Sequence, residues 1–279
     1  MRIATWNVNS IRARTARVVD WLQRADVDVL ALQEIKCRDD QFPHEAFEQA
    51  GYEVVTYGLN QWNGVGFASR IGLADVTRDF PGIPGFGKPL PDGTLPIEAR
   101  ALAVTVGDGV RLSSLYVPNG RELGHPHYDY KLEWLARLQE DTRRRLEAEP
   151  QTLLALMGDW NIAPLDEDVW DIRVFDGATH VSEPEREAFR SFEALGLRDV
   201  VRPLVPKGYT YWDYKQLRFP RNEGMRIDFV LGSPAFAGAV TGASIERNER
   251  KGDAPSDHVP VLVELDADSP LDDDRPMIF

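Results

Sequence analysis

Ten strand-like segments, each seven or eight residues long, recur along nearly the whole chain and limit its possible folds more than any other feature. They read RIATWNV, DVLALQE, YEVVTYG, GVGFASR, ARALAVTV, VRLSSLYV, TLLALMG, RIDFVLG, TGASIER and VPVLVEL. Helical periodicity is rarer. ARTARVVDWLQRA, HEAFEQA and REAFRSFEALGL are short, and YDYKLEWLARLQEDTRRRLEAE is long, with Leu132, Leu135 and Leu138 at near-helical spacing. Several strands are hairpin neighbours, which a purely doubly wound parallel sheet does not accommodate. An α/β fold with two mixed β-sheets fits better. There is no internal repeat. FPGIPGFGKPLPDGTLP (80–96) lies between close strand-like segments, so it is expected to be a long surface loop within one domain. One domain over 1–265 is expected, followed by a flexible acidic tail, 266–279.

The chain's 279 residues, 43% hydrophobic and 28% charged, are enough for a sizeable core. No segment approaches the roughly 18 apolar residues of a membrane span, and MRIATWNVNS lacks the apolar region of a secretory signal. The single cysteine, Cys37, excludes an internal disulfide and a thiolate metal cluster. A soluble, cytoplasmic, monomeric protein without membrane association is the expectation. The formal net charge of −13 argues against a polyanionic partner, but charge is unevenly spread. Residues 266–279 hold five aspartates against one arginine, whereas RARTAR (12–17) has three arginines and no acid. KQLRFPRNEGMR (215–226) has four basic residues against one acid.

Six strand-like segments present polar groups at their ends that a core would not favour. These are Asn7 and Asn9; Gln33 and Glu34; Tyr116 and Asn119; Asp159 and Asn161; Arg226 and Asp228; Asp257 and His258. Taken singly, each can be a turn, a cap or a surface ion pair. As a set they suit a site held on rigid strand ends. In TLLALMGDWNIA, Gly158 is expected to free the backbone where the strand leaves its sheet. Alternation would then put Asp159 and Asn161 on one side and Trp160 on the other. Carboxylates and amides without a cysteine favour a hard cation, Mg²⁺ or Mn²⁺, over zinc. One histidine beside acids suits stabilisation of an anion, its ring held by a carboxylate. Neither a phosphate-cradling Gly-x-x-x-x-Gly-Lys loop nor a Gly-x-Ser-x-Gly elbow occurs. His125-Pro126-His127 has metal-like spacing but is expected to be an exposed loop.

WNVNSIR, LQEIKC, YVPNG, MGDWNIAP, THVSEPERE, TYWDY, GMRIDFVL and APSDHVPV occur in that order between residue 2 and about 265. Together they resemble the motif set of the exonuclease III family of AP endonucleases, within the endonuclease/exonuclease/phosphatase superfamily. The resemblance implies a four-layer α/β sandwich of two packed mixed sheets flanked by helices. It implies hydrolysis of phosphodiesters 5′ to abasic sites in duplex DNA, with 3′-to-5′ exonuclease activity and removal of 3′ blocking groups. Carried over motif by motif, Glu34 is the principal Mg²⁺ ligand, with Asn7 beside it and Asp257 in the metal network. Asp159 orients or deprotonates water, and Asn161 holds that water or the scissile phosphate. The same two residues serve a second metal, if there is one. His258 faces a phosphate oxygen with its ring fixed by Asp228, and Tyr116 contacts the scissile phosphate. Lys36 supports phosphate placement, with Asn119 as a further substrate contact. Tyr211, Trp212, Met225 and Ile227 are candidate walls of the abasic-sugar pocket. Arg12, Arg121, Lys215, Arg218 and Arg221 are candidate backbone-phosphate contacts. Two alternatives remain: a superfamily phosphohydrolase acting on phosphoinositides, sphingomyelin or nucleotides, and a catalytically inactive DNA-binding protein.

Overall fold

The computed structural model describes residues 1–266. The tail expectation, apart from Asp266, therefore lies outside the described residues. In chain order the strands are β1 (Arg2–Asn7), β2 (Val29–Gln33), β3 (Glu53–Tyr57), β4 (Val65–Ser69), β5 (Ala74–Arg78) and β6 (Ala101–Val106). They continue as β7 (Val110–Tyr116), β8 (Leu154–Asp159), β9 (Arg198–Asp199), β10 (Asp228–Gly232), β11 (Val240–Ile245) and β12 (Val261–Leu265). The helices are α1 (Thr15–Arg24), α2 (His44–Gln49), α3 (Pro126–Ala148), α4 (Glu183–Ala194), α5 (Arg218–Arg221) and α6 (Pro234–Ala239). Two six-stranded sheets form, with spatial orders β11-β12-β1-β2-β4-β3 and β5-β6-β7-β8-β10-β9. β5 and β9 have no strand-like signal in the sequence. β5 is a mostly exposed edge without apolar alternation, and β9 has only two residues.

Each sheet has one parallel pair near its middle, β1 with β2 and β7 with β8. A parallel connection needs a crossover, and α1 and α3 supply the two. α1 buries Val18, Trp21 and Leu22 at helical spacing, and they join Trp6, Leu30 and Leu32 on the outer face of the first sheet. α3 and α4 cover the second sheet with Trp134, Leu135, Leu138, Phe189 and Phe192. The layers are thus helix, sheet, sheet, helix. Among the described residues no helix is long and apolar enough to cross a membrane.

Between the sheets lies a core set by strand alternation. Ile3, Val29, Leu112, Ala155, Met157, Val230 and Val263 all meet there. Each fully buried side chain of this kind contributes roughly 1.5–3 kcal/mol. At one end the inward positions turn polar. Gln33 donates to Thr5 Oγ1 (3.0 Å) within its sheet and to Ser114 Oγ (2.9 Å) across to the other.

Gly158 corrects one expectation. The strand does not leave the sheet there, since Gly158 stays in the ladder opposite Leu115 and Phe229. Its φ is 145°, and a Cβ would sit 2.0 Å from the Leu115 carbonyl oxygen. Glycine is required by that close approach, and it lets β8 run on to Asp159.

Candidate active site

Register assembles the first half of the site. Parallel pairing sets Tyr116 beside Asp159, and antiparallel pairing sets Asp228 on the other flank of Asp159. Partners in adjacent strands lie about 5 Å apart, so three strands contribute one polar row. Asp159 and Asp228 share the inward parity of Met157 and Val230, while Trp160 packs among Phe189 and Phe192 on the helix side. The first sheet supplies the facing half. β1 ends at Asn7, and β2 leads into Glu34. β12 runs antiparallel to β1, so the residues preceding it, Asp257 and His258, reach the same end. Trp6 Nε1 donates to the His258 carbonyl (3.1 Å), and Ser256 Oγ donates to the Asn7 carbonyl (2.7 Å).

The side chains meet closely. Asn7 Nδ2 donates to Glu34 Oε1 (2.8 Å) and to Asp159 Oδ2 (2.9 Å). The Asn161 backbone N–H donates to Asp159 Oδ1 (2.9 Å), so both oxygens of Asp159 are held. His258 Nδ1 lies 2.9 Å from Asp228 Oδ2, and its Nε2 is 3.7 Å from Asp159 Oδ2. Lys36 Nζ pairs with Glu34 Oε2 at 2.6 Å. Asn9, Glu34, Lys36, Asn161 and His180 all have φ between 44° and 77°. Left-handed backbone at non-glycine residues carries strain, and these five positions place part of it at the site.

The electrostatics follow from burial and crowding. Burial pushes the Asp159 carboxyl upward; Asp228 and Glu34 add to this, and His258 opposes it. Burial alone would discharge His258, but Asp228 and Asp159 outweigh it and raise the imidazole to about 10. Glu34 is held below the ordinary carboxylate range, because Lys36 and the Asn7 hydrogen bond outweigh its burial. Burial and the neighbouring Glu34 push the Tyr116 phenol well up, keeping it neutral, and the Arg100 guanidinium lies 4.6 Å from its ring centroid.

Ligand atoms of Glu34, Asp159 and His258 lie within 4.8 Å of one another. Two crowded carboxylates are a donor set that fits a hard divalent cation, whose charge would relieve their repulsion. The imidazole is committed to Asp228, which leaves the carboxylates as the natural ligands. Asn7 sits between the two carboxylates. Its amide nitrogen donates to both, and its Oδ1 accepts from the Asn9 N–H (3.0 Å). Asp257 Oδ1 accepts from Asn9 Nδ2 (3.0 Å), one hydrogen bond away from Asn7, and Asp257 is not among the three converging residues.

Asn161 Oδ1 accepts from Asn119 Nδ2 (3.2 Å) and lies 3.2 Å from His180 Nε2. The Tyr211 ring stands 4.9 Å from the His258 ring, and Tyr211 and Met225 pair through their backbones. Both are half-buried. Trp212 and Ile227, also expected as walls, are buried in the packing behind them, Trp212 edge-on to Phe219. Arg12, Arg121, Lys215 and Arg221 are exposed, whereas Arg218 is half-buried and paired with Glu223 at 2.6 Å. His125 and His127 are not an exposed loop. His125 caps α3, and His127 is buried, its Nδ1 accepting from the Gly120 N–H (3.1 Å). His180 and Glu185 lie in the THVSEPERE motif but, like Lys131, were not expected as site residues. None of the three lies at a strand end, the signal that marked Asn7, Glu34, Asp159, Asp228 and His258. Trp62, 67% exposed, was missed too; it adjoins Asn63, whose carbonyl accepts from the Lys36 N–H (2.9 Å).

Comparison with known proteins bears on this geometry. A family model described as "Endonuclease/Exonuclease/phosphatase family" matches residues 4–258. Exodeoxyribonuclease III of Haemophilus influenzae is 28% identical, over 95% of this chain and 100% of that protein. The 3′ phosphatase NExo from Neisseria, solved with a product DNA hairpin, is 37% identical, with a TM-score of 0.87 over 95% of this chain and 99% of its own. An AP endonuclease from Archaeoglobus fulgidus is 31% identical, with a TM-score of 0.84 over 95% and 99% of the two chains.

Proposed function

The chain belongs to the endonuclease/exonuclease/phosphatase family, and on that premise we propose that it is a DNA-repair hydrolase of phosphoesters. Its substrates are duplex DNA cleaved 5′ to abasic sites and duplex 3′ ends carrying blocking groups. The observation that carries the reading is the convergence of Glu34, Asp159 and the Asp228–His258 pair at one end of the inter-sheet core. The 3′ phosphatase, AP endonuclease and exodeoxyribonuclease III relatives supply the substrate class.

Glu34 and Asp159 would hold the cation, Mg²⁺ by preference with Mn²⁺ as a substitute. When bound it supplies positive charge beside the phosphate oxygens, where negative charge builds during attack. Asp159 takes a proton from the attacking water. Two fixed hydrogen bonds aim its carboxylate. Asp228 keeps His258 protonated, so Nε2–H donates to a phosphate oxygen. Tyr116 stays neutral and donates its phenolic proton to the same group. Asn161, steadied by Asn119, holds the water or a phosphate oxygen. Lys36 and the exposed basic residues Arg12, Arg121, Lys215 and Arg221 meet backbone phosphates. Tyr211 and Met225 wall the sugar, and Trp62 offers an aromatic face to a base.

The test is hydrolysis of three duplexes: one abasic, one with a 3′-phosphate and one blunt. Each is assayed with Mg²⁺ and again with EDTA. Cleavage of the first two that EDTA abolishes is the expected result. Turnover of inositol phosphates with all three duplexes untouched would instead establish a non-DNA phosphohydrolase.

A further inference from the structure

We propose that Lys131 and Glu185 form a buried positioning pair that sets Asn119 and Asn161 in place. The inference rests on the hydrolase reading and deepens it. Lys131 lies on α3 and Glu185 in the first turn of α4, the two helices that cover the second sheet. Neither side chain is exposed, and Lys131 Nζ lies 2.5 Å from Glu185 Oε1. An ammonium group has three donors and no acceptor. All three are used here: on Glu185, on the Asn161 carbonyl (2.7 Å) and on the Asn119 carbonyl (3.2 Å). Those carbonyls belong to the segments leaving β8 and β7. One side chain therefore ties both asparagine-bearing segments to the helix beneath them.

Both segments need such a tie. Asn161 has φ 49°, a conformation that a non-glycine residue keeps only where the surroundings hold it, and Gly120 (φ 93°) is permissive backbone that its own residue does not pin. Glu185 is equally committed. Its Oε1 accepts from Thr179 Oγ1 (2.7 Å), and its Oε2 accepts from Ser182 Oγ (2.6 Å) in the capping box of α4. Packing closes the arrangement, since a Cβ on Gly120 would lie 2.6 Å from Thr179 Oγ1.

A buried ion pair is a weak source of net stability compared with apolar packing. What this pair uniquely provides is a charged donor aimed at two backbone carbonyls, each belonging to an asparagine of the site. The carbonyls fix the segments, and the segments fix the carboxamides that meet 3.2 Å apart. Displacing reacting partners by about 1 Å can cost a hundredfold in rate, so the pair acts on turnover more than on affinity.

The variant that isolates this role is Lys131→Met combined with Glu185→Gln. It removes both charges and keeps one acceptor oxygen and one amide donor facing Thr179 and Ser182, either of whose hydroxyls can turn to accept, but leaves the asparagine carbonyls without their donor. Hydrogen exchange at the amides of 117–121 and 160–163 is measured first. Faster exchange in both segments, with the middle of α3 unchanged, is expected. Unchanged exchange in both overturns the proposal, whichever phosphoester the protein hydrolyses. Failure of the parent protein to cleave any DNA duplex overturns the proposed function alone.

On a 3′-phosphate duplex, kcat should fall roughly tenfold or more while KM stays within about threefold. In an Asn161→Ala background the same pair of changes should cost less than about threefold, because the group being positioned is gone. An equal loss in both backgrounds overturns the positioning role. If the double variant does not fold, Glu185→Gln alone is read by the same exchange measurement: faster exchange in both segments supports the proposal, and unchanged exchange overturns it.

Discussion

The two ends of the inter-sheet core are built from the same strands with the same alternation, yet they carry opposite chemistry. Along β8 the inward residues run Ala155, Met157, Asp159; along β1 they run Ile3, Thr5, Asn7. β2 passes from Val29 through Ala31 to Gln33, and β10, running the other way, passes from Asp228 to Val230. One end is an apolar seal whose loss should cost stability. The other crowds acids and an imidazole where water and apolar packing would each be more comfortable, and its loss should cost turnover. A difference of two residues along one strand thus separates folding from chemistry.

The largest expected effect comes from Asp159→Asn. Turnover of a DNA duplex should fall roughly a thousandfold, the scale of a lost general base, with duplex binding retained. The Asp159 carboxyl is pushed up by burial and by Asp228 and Glu34, so the ionised form is disfavoured in the fold. Stability contributed by such a group falls as pH rises through its raised titration, so removing the charge offsets the acceptor that Asn lacks, and Tm at pH 7 in EDTA should change by only a few degrees. Thermal melts beside steady-state kinetics check both halves, and a drop in Tm of many degrees would break the division between the ends.

Met157→Ala, on the same face of the same strand, should do the reverse. A buried Met-to-Ala change costs about 2–5 kcal/mol, read by urea unfolding, while kcat per folded molecule stays within a few-fold. If the kinetic loss dominated, the apolar end would be part of the site. Gly158→Ala lies between the two and should do both. Strain at φ 145° and the contact with Leu115 should cost about 1–3 kcal/mol and misdirect Asp159. Native stability in that variant would show that β8 can shift without consequence.

The smallest effect sharpens the comparison from outside the core. Burial, aided by Arg100, pushes His127 down to about 4 from an ordinary 6.5. Because the unfolded chain then binds the proton more readily, stability is complete above pH 6.5 and declines as pH falls toward 4. The Gly120 N–H loses its acceptor on protonation, a loss on the order of 1 kcal/mol. Unfolding curves at pH 7 and pH 4.5 should show that decline, and His127→Gln should lack it.

How much of this was legible in the sequence depended on how local each signal is. Asp159 and Asn161 were readable because an apolar run ended on them, and the same logic found Asn7, Glu34, Asp228 and His258. Gly158 was misread as an exit because its closeness to Leu115 belongs to a neighbouring strand. Asn7 carries both a donor and an acceptor, and which one faces the carboxylates is a matter of three-dimensional geometry. Trp212 and Tyr211 are adjacent in a loop, where no periodicity tells which is buried. Lys131 sits in a helix whose charges are mostly solvated, so nothing local marked it as the lysine that turns inward.

The sequence by itself determined the strands, the alternation that gives each an inner face, and the placing of acids, amides and one imidazole at particular strand ends. Those properties follow from a period of two residues and from where an apolar run stops. Only the tertiary structure decided that β7, β8 and β10 lie side by side with Tyr116, Asp159 and Asp228 in register. It alone paired His258 with Asp228, 30 positions away, and brought Asn7 between two carboxylates from different sheets. Register and sheet order are set by hydrogen bonds between distant segments and by the packing of two sheets. No short stretch of sequence carries either.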